Sequence, residues 1–175
     1  MRAAFLNLIA ERPLDDISIK EICDAAGLSY PTFYRRFSGK DELLASIATE
    51  EVRQLLTFGF TALEAQDERG GNSAAAMCSY VADHRALWRT LLTGGAADAM
   101  RQEFMRRSRD IAESRPRSNP WLPVDLAVPF VTAGVFEILA WWMKQPDDYP
   151  TANVATLIEV LILELTARPR SIELS

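Results

Sequence analysis

Apolar residues recur three and four positions apart along nearly the whole chain, and no segment of useful length alternates apolar and polar residues between turn signals. The pattern predicts an all-α fold. Phe5, Leu8 and Ile9 mark one face of a first helix over about Arg2–Glu11, which Pro13 ends. Ser18-Ile19-Lys20-Glu21 has the form of a capping box, with Ser18 as N-cap and Glu21 reaching back. Ile19, Ile22 and Cys23 are the inner stripe of the second helix, and Gly27 stops it by supplying a positive φ. A third helix is expected over Ser29–Phe37, with Ser29 as its cap and Pro31 in its first turn, where a missing N–H costs little. Ser38 is placed as the cap of a long fourth helix from Lys40 to about Ala65. Further helices are expected over about Ser73–Asp83, Arg85–Leu92, Ala97–Ser114, Val124–Lys144 and Thr151–Arg168. Loops rich in Gly and Pro separate them, such as "ERGGNS", "SRPRSNPWLPVD" and "QPDDYP". The chain divides into a three-helix head over 1–46, a larger helical body over 47–168 that the connecting helix enters, and a tail over 169–175.

The second and third helices, joined by Ala26-Gly27-Leu28-Ser29, have the spacing of a helix-turn-helix. At 100° per residue, Phe33 and Phe37 centre on the inner face of the third helix and Tyr30 and Tyr34 stand at its edge. Pro31, Thr32, Arg35 and Arg36 occupy the outside.

Net charge changes this picture. The chain carries −5 overall with a pI near 5.0, so nucleic-acid binding requires a local patch. Ser29–Lys40 supplies one, with three basic residues and no acid, whereas residues 1–28 hold three basic and five acidic residues. A positive field confined to one helix is the footprint of a helix that enters a major groove. Arg35 or Arg36 suits guanine or phosphate, and Thr32, Tyr34 and Lys40 suit phosphate oxygens. A solvated amphipathic helix in a plain bundle is the competing reading of the same residues.

The run "ISIKEICDAAGLSYPTFYRRFSGKDELLASI" closely resembles the DNA-binding head of the TetR family of bacterial transcription regulators. Asp24 to Ser29, Thr32, Tyr34, Phe37, Lys40 and Leu43 carry the match, which spans about residues 2–50. The resemblance implies that Ser18, Thr32, Tyr34 and Lys40 contact phosphates. It also implies that Tyr30, Pro31 and Arg35 approach base edges and that Arg36 lies near the backbone. Ser29, at the start of the same helix, is counted with this DNA-facing set. Family members usually carry a basic segment before the first helix; here Arg2 alone is available for that contact.

A helix-turn-helix usually reads DNA as a two-fold dimer, so the body needs a self-complementary surface. Along the last helix, Val154, Leu157, Ile158, Leu161, Ile162 and Leu165 form a stripe too wide for one core face. Its predecessor carries Phe130, Gly134, Ile138, Trp141 and Trp142 on several sides. The expected homodimer face comprises Phe130, Gly134, Ile138, Trp142, Leu157, Ile158, Leu161 and Leu165, in an intermolecular four-helix bundle. The alternative is a fully buried monomer core. The resemblance also implies a pocket for an unknown small-molecule effector, for which Trp88, Met100, Phe104, Trp121, Phe136 and Trp141 are candidate linings or plain core. Glu137, a carboxylate in an apolar helix, is left to a dimer contact, a ligand or solvent.

Other classes fit poorly. His84 is the sole histidine and reads as a surface or helix-start residue, which leaves no multi-His metal site. No phosphate loop, nucleophile elbow or dinucleotide fingerprint is present, so no catalytic residue, metal or cofactor is expected. Cys23 and Cys78 read as buried thiols in a reducing compartment. The apolar stretch Ala127–Met143 contains Pro129, Thr132, Gly134 and Glu137 and falls short of the ~20 residues of a bilayer span, so an interface helix is expected and no membrane partner. "MRAAFLNLIAERP" reads as a helix and not a signal peptide, which suits a cytoplasmic protein. The function expected is a ligand-responsive repressor that binds a palindromic operator on double-stranded DNA as a homodimer. A dimeric sensing or interaction module with weakened DNA binding is the alternative.

Overall fold

The computed structural model describes residues 1–64, 73–93, 96–114, 119–168 and 172, with the backbone alone at 10 and 60–64. Among the described residues all regular structure is helical. The head holds α1 (Arg2–Glu11), α2 (Ile19–Ala26) and α3 (Tyr30–Tyr34). Helix α4 (Lys40–Glu64) leads from it into α5 (Ser73–Asp83), α6 (Arg85–Thr93), α7 (Ala97–Ser114) and α8 (Val124–Met143). The last rod is α9 (Thr151–Ile158), a π-helical segment (Glu159–Leu163) and a final turn, α10 (Glu164–Thr166). One core runs from Phe5, Ile22 and Phe33 in the head, along Leu44, Val52 and Leu55 of α4, to Trp88, Phe136 and Val154 in the body. Most of the expected tail, 169–175, lies outside the described residues.

Local chemistry accounts for the head. Ser18 Oγ accepts from Glu21 N at 3.3 Å, and the Glu21 carboxylate accepts from Ser18 N at 2.8 Å, the reciprocal capping box. Gly27 ends α2 at φ 62°, ψ 35°, a left-handed conformation that a side chain would oppose. Two expected caps differ. Ser29 makes no side-chain cap bond; its Oγ pairs with Thr32 Oγ1 at 3.0 Å. Ser38 donates through N and Oγ to Glu42, both at 2.7 Å, and captures that carboxylate instead of a backbone N–H. Helix α3 is shorter than expected, but Phe37 N still bonds Phe33 O at 3.0 Å, so helical bonding reaches the expected end. The 3₁₀ turn Leu14–Asp16 is too short to carry a period and leaves no mark in the apolar pattern.

The body is tied by polar contacts between distant elements. Arg85 donates to the carbonyls of Trp142 (2.9 Å) and Gln145 (3.0 Å), and Arg89 to Met143 O (3.1 Å). Both also bind Asp147, at 2.9 and 2.6 Å. Two cations thus sit on the negative end of α8. Asn119, buried before α8, donates to Thr166 O and Arg168 O at 2.9 Å each and closes the end of α10. In the π segment Glu164 N–H reaches Glu159 O, one residue further back than an α-helix allows. Ile162 projects from it onto Gly134 of α8, where a Cβ would overlap Ile162 Cδ1.

These contacts revise the expected dimer face. Trp142 and Ile158 are 1% and 0% exposed and serve the chain's own core, because the α6 arginines and α5 draw those faces inward. Gly134 admits Ile162 of the same chain. Phe130, Leu161 and Leu165 remain 49%, 50% and 43% exposed, and Leu126 and Val160 join them. Ile138 and Leu157 are half-buried. Helix α8 is long and apolar enough to cross a membrane by length and composition alone, yet it packs on α6, α7 and α9. Glu137 is exposed and 3.6 Å from Arg101.

Candidate nucleic-acid interface

Phe33 anchors α3 with no exposed surface, and Phe37 packs beside it, ring centroids 6.0 Å apart. That anchor turns the rest of the helix outward. Tyr30 and Tyr34 are 45% and 52% exposed and stack on each other at 6.4 Å with rings 17° apart. Tyr34 also meets Phe33 edge-on at 5.4 Å, which orients the pair. The tyrosines are more exposed than the helical arc alone implied. Pro31, Arg35 and Arg36 are exposed, and neither arginine has an acidic partner among the described residues. The outcome is a small face of stacked phenols and two free guanidiniums, which can bond phosphates and base edges.

Other expected contacts are engaged inside the chain. Ser18 is exposed, but its hydroxyl is occupied with Glu21 on both sides, donating to Oε2 at 2.7 Å. The Glu21 carboxyl is held down at about 2, first by the Ser18 backbone and hydroxyl bonds and then by Arg12 at 2.7 Å. Thr32 is half-buried with its hydroxyl on Ser29. Lys40 Nζ donates to Leu14 O at 3.0 Å and to Asp15 O and Ile17 O at 3.4 Å. An open cleft of about 490 Å³ beside it is lined by Asp15, Asp16 and Asp41 as well as Lys40. Lys40 therefore closes the 3₁₀ turn, beside a cleft that three aspartates also line. The spacing of Lys40 in sequence gave no sign of this, because the carbonyls lie 23 to 26 residues away.

Arg2, the expected arm residue, is engaged within the chain. Its guanidinium pairs with Glu51 of α4, which has no exposed surface. The second oxygen of Glu51 accepts from Tyr80 of α5 at 2.7 Å. Burial, and then Glu51, push the Tyr80 phenol well above its ordinary value. Sequence reading missed this carboxylate; the one available signal was an acid among the apolar positions of α4.

The candidate pocket residues divide. Trp88, Met100, Phe104 and Phe136 are buried in the body, with Phe104 edge-on to Phe136 at 5.5 Å. Trp121 is half-buried outside that group and donates to Asn119 at 3.3 Å. Trp141 is 40% exposed and packs edge-on against Tyr149 at 5.3 Å, on the surface and not in the core. His84 is exposed, with Nδ1 2.8 Å from Tyr80 O and its ring against Tyr80. Cys23 and Cys78 are buried and unpaired, and burial pushes the Cys78 thiol up to about 12.

Helices α2 and α3, with Gly27 at the turn and the outward α3 face, define a class of head: a helix-turn-helix. Residues 2–47 match the model of the bacterial regulatory proteins of the tetR family. Over 48 residues the chain is 42% identical to the HTH-type transcriptional regulator EthR of Mycobacterium tuberculosis, a match covering 27% of this chain and 22% of that protein. The chain thus aligns with about a fifth of the length of the curated relatives it matches. A structure from Syntrophomonas wolfei described as a TetR-family transcriptional regulator superposes with TM-score 0.68 at 15% identity, covering 94% of each chain. The TetR-family regulator PfmR of Thermus thermophilus does so with TM-score 0.55 at 19% identity, over 91% of this chain and 94% of that one. Residues 2–47 thus carry the tetR-family head pattern, and the helical fold of the chain is shared with these solved structures.

Proposed function

We propose that this protein is a transcriptional regulator of the TetR family, a cytoplasmic repressor that reads a palindromic operator as a homodimer and releases it when a small molecule fills the body. Residues 1–46 act as the DNA-binding unit and 47–168 as the dimerisation and effector unit. The observation that carries the DNA reading is the α3 face, where Tyr30, Tyr34, Arg35 and Arg36 stand exposed on a buried Phe33. Arg35 reads a base edge or phosphate, Arg36 the backbone, and Tyr30 with Pro31 packs against bases. Exposed Leu126, Phe130, Val160, Leu161 and Leu165 supply an apolar surface for a second copy. Selection from random DNA at low salt tests the proposal. An inverted repeat is expected, with affinity falling linearly in log salt. Arg35→Ala with Arg36→Ala should weaken binding about tenfold or more. No sequence preference at low salt overturns it.

A second reading, a dimeric sensor with weakened DNA binding, has one specific support: Arg2 and Lys40 are engaged within the chain. It predicts a shallow salt slope, set by Arg35 and Arg36 alone.

A further inference from the structure

Glu51 joins three elements that belong to different parts of the molecule. It lies on α4, the one helix that leads from head to body, 11 residues beyond Lys40. Arg2 comes from α1 in the head and Tyr80 from α5 in the body. Each carboxylate oxygen has its own donor, and the residue is 0% exposed. Tyr80 is itself held, its ring stacked on Phe58 at 4.9 Å and against His84 at 4.5 Å. Around this point the contacts are apolar: Ala48, Val52 and Leu55 are fully buried. Apolar burial is non-directional and tolerates sliding. Hydrogen bonds weaken steeply with angle, and a buried carboxylate left without a donor is costly. Only a narrow range of head orientations therefore satisfies both oxygens.

We propose that Glu51, gripped by Arg2 and Tyr80, is a positioning residue that sets the angle of the head on the body and so the half-site spacing the dimer reads. The inference rests on the operator-reading dimer proposed above. At 1.5 Å per residue, the start of α4 lies about 17 Å from Glu51. A tilt of about 10° there moves the head by roughly 3 Å, close to the 3.4 Å step of one base pair. A small loss of angular control thus translates into the wrong spacing.

The test uses the full chain and the operator it selects from random DNA, rebuilt with the half-sites moved closer or further by one and two base pairs. The wild type should prefer one spacing by about tenfold or more over its neighbours. Glu51→Gln and Tyr80→Phe should each compress that preference to about threefold or less, with an unchanged salt slope. Tyr80→Phe removes a single hydroxyl and keeps the ring stack, so it reports even where Glu51→Gln does not fold. A selected operator whose spacing preference survives in Tyr80→Phe overturns the role of Glu51 alone. Failure of the wild type to select any operator overturns the regulator reading, and this inference with it.

Discussion

Phe33 orients the candidate interface from within the core. Its ring is fully buried, and its placement decides that Tyr30, Tyr34, Arg35 and Arg36 face outward. Phe33→Ala should cost about 3–5 kcal/mol in urea unfolding and abolish DNA binding with it. Glu21 illustrates a polar counterpart. Its carboxyl is held at about 2 against an ordinary 4.5, so its contribution is complete above 4.5 and is lost as pH falls through 2. Unfolding of wild type and Glu21→Gln between pH 6 and 2 should show a gap that is constant near neutrality and closes in acid. A gap that persists at about pH 2 would contradict the capping box as its cause. The cap was legible because its partners are three residues apart. The Lys40 contacts were not, since the same ammonium suits a phosphate or a ring of carbonyls and only the fold brings the carbonyls to it.

Elements were largely readable, and their exceptions arise from contacts between them. The last rod has uninterrupted helical periodicity, yet it widens into a π segment where Ile162 meets Gly134. The register of Ile162 depends on α8, which lies elsewhere in the chain. Gly134→Ala should destabilise by about 1–3 kcal/mol through overlap. Adding Ile162→Ala should recover part of that loss, a coupling that a double-mutant cycle in denaturant would measure. The seat of α6 on α8 is likewise invisible in periodicity, because Arg85 and Arg89 lie 62 and 58 residues from Asp147. Asp147, lowered by Arg89 and then Arg85, leaves two cations together when it becomes Asn. Asp147→Asn should lower the thermal midpoint slightly, with the loss largest at low salt and shrinking as salt is added.

At the scale of the molecule, α8 and the last rod expose Leu126, Phe130, Val160, Leu161 and Leu165, while Val135, Phe136, Leu139, Val154 and Ile158 of the same helices lie in the core. Leu161→Glu with Phe130→Glu should convert a dimer to a helical monomer in sedimentation, with loss of operator binding but not of far-ultraviolet signal. A chain that sediments as a dimer with both charges in place would move the interface elsewhere. Helix type, the caps at Ser18 and Gly27, and the sorting of Phe33 from Arg35 and Arg36 were determined by the sequence itself. Each depends on neighbours within about one or two helical turns, where spacing is geometry. Tertiary structure alone decided that Trp142 and Ile158 face their own core, that Lys40 serves a turn, and that Arg2 meets Glu51 and Tyr80. Those outcomes depend on which elements pack together, and a side chain able to satisfy several partners takes the one that packing brings within reach.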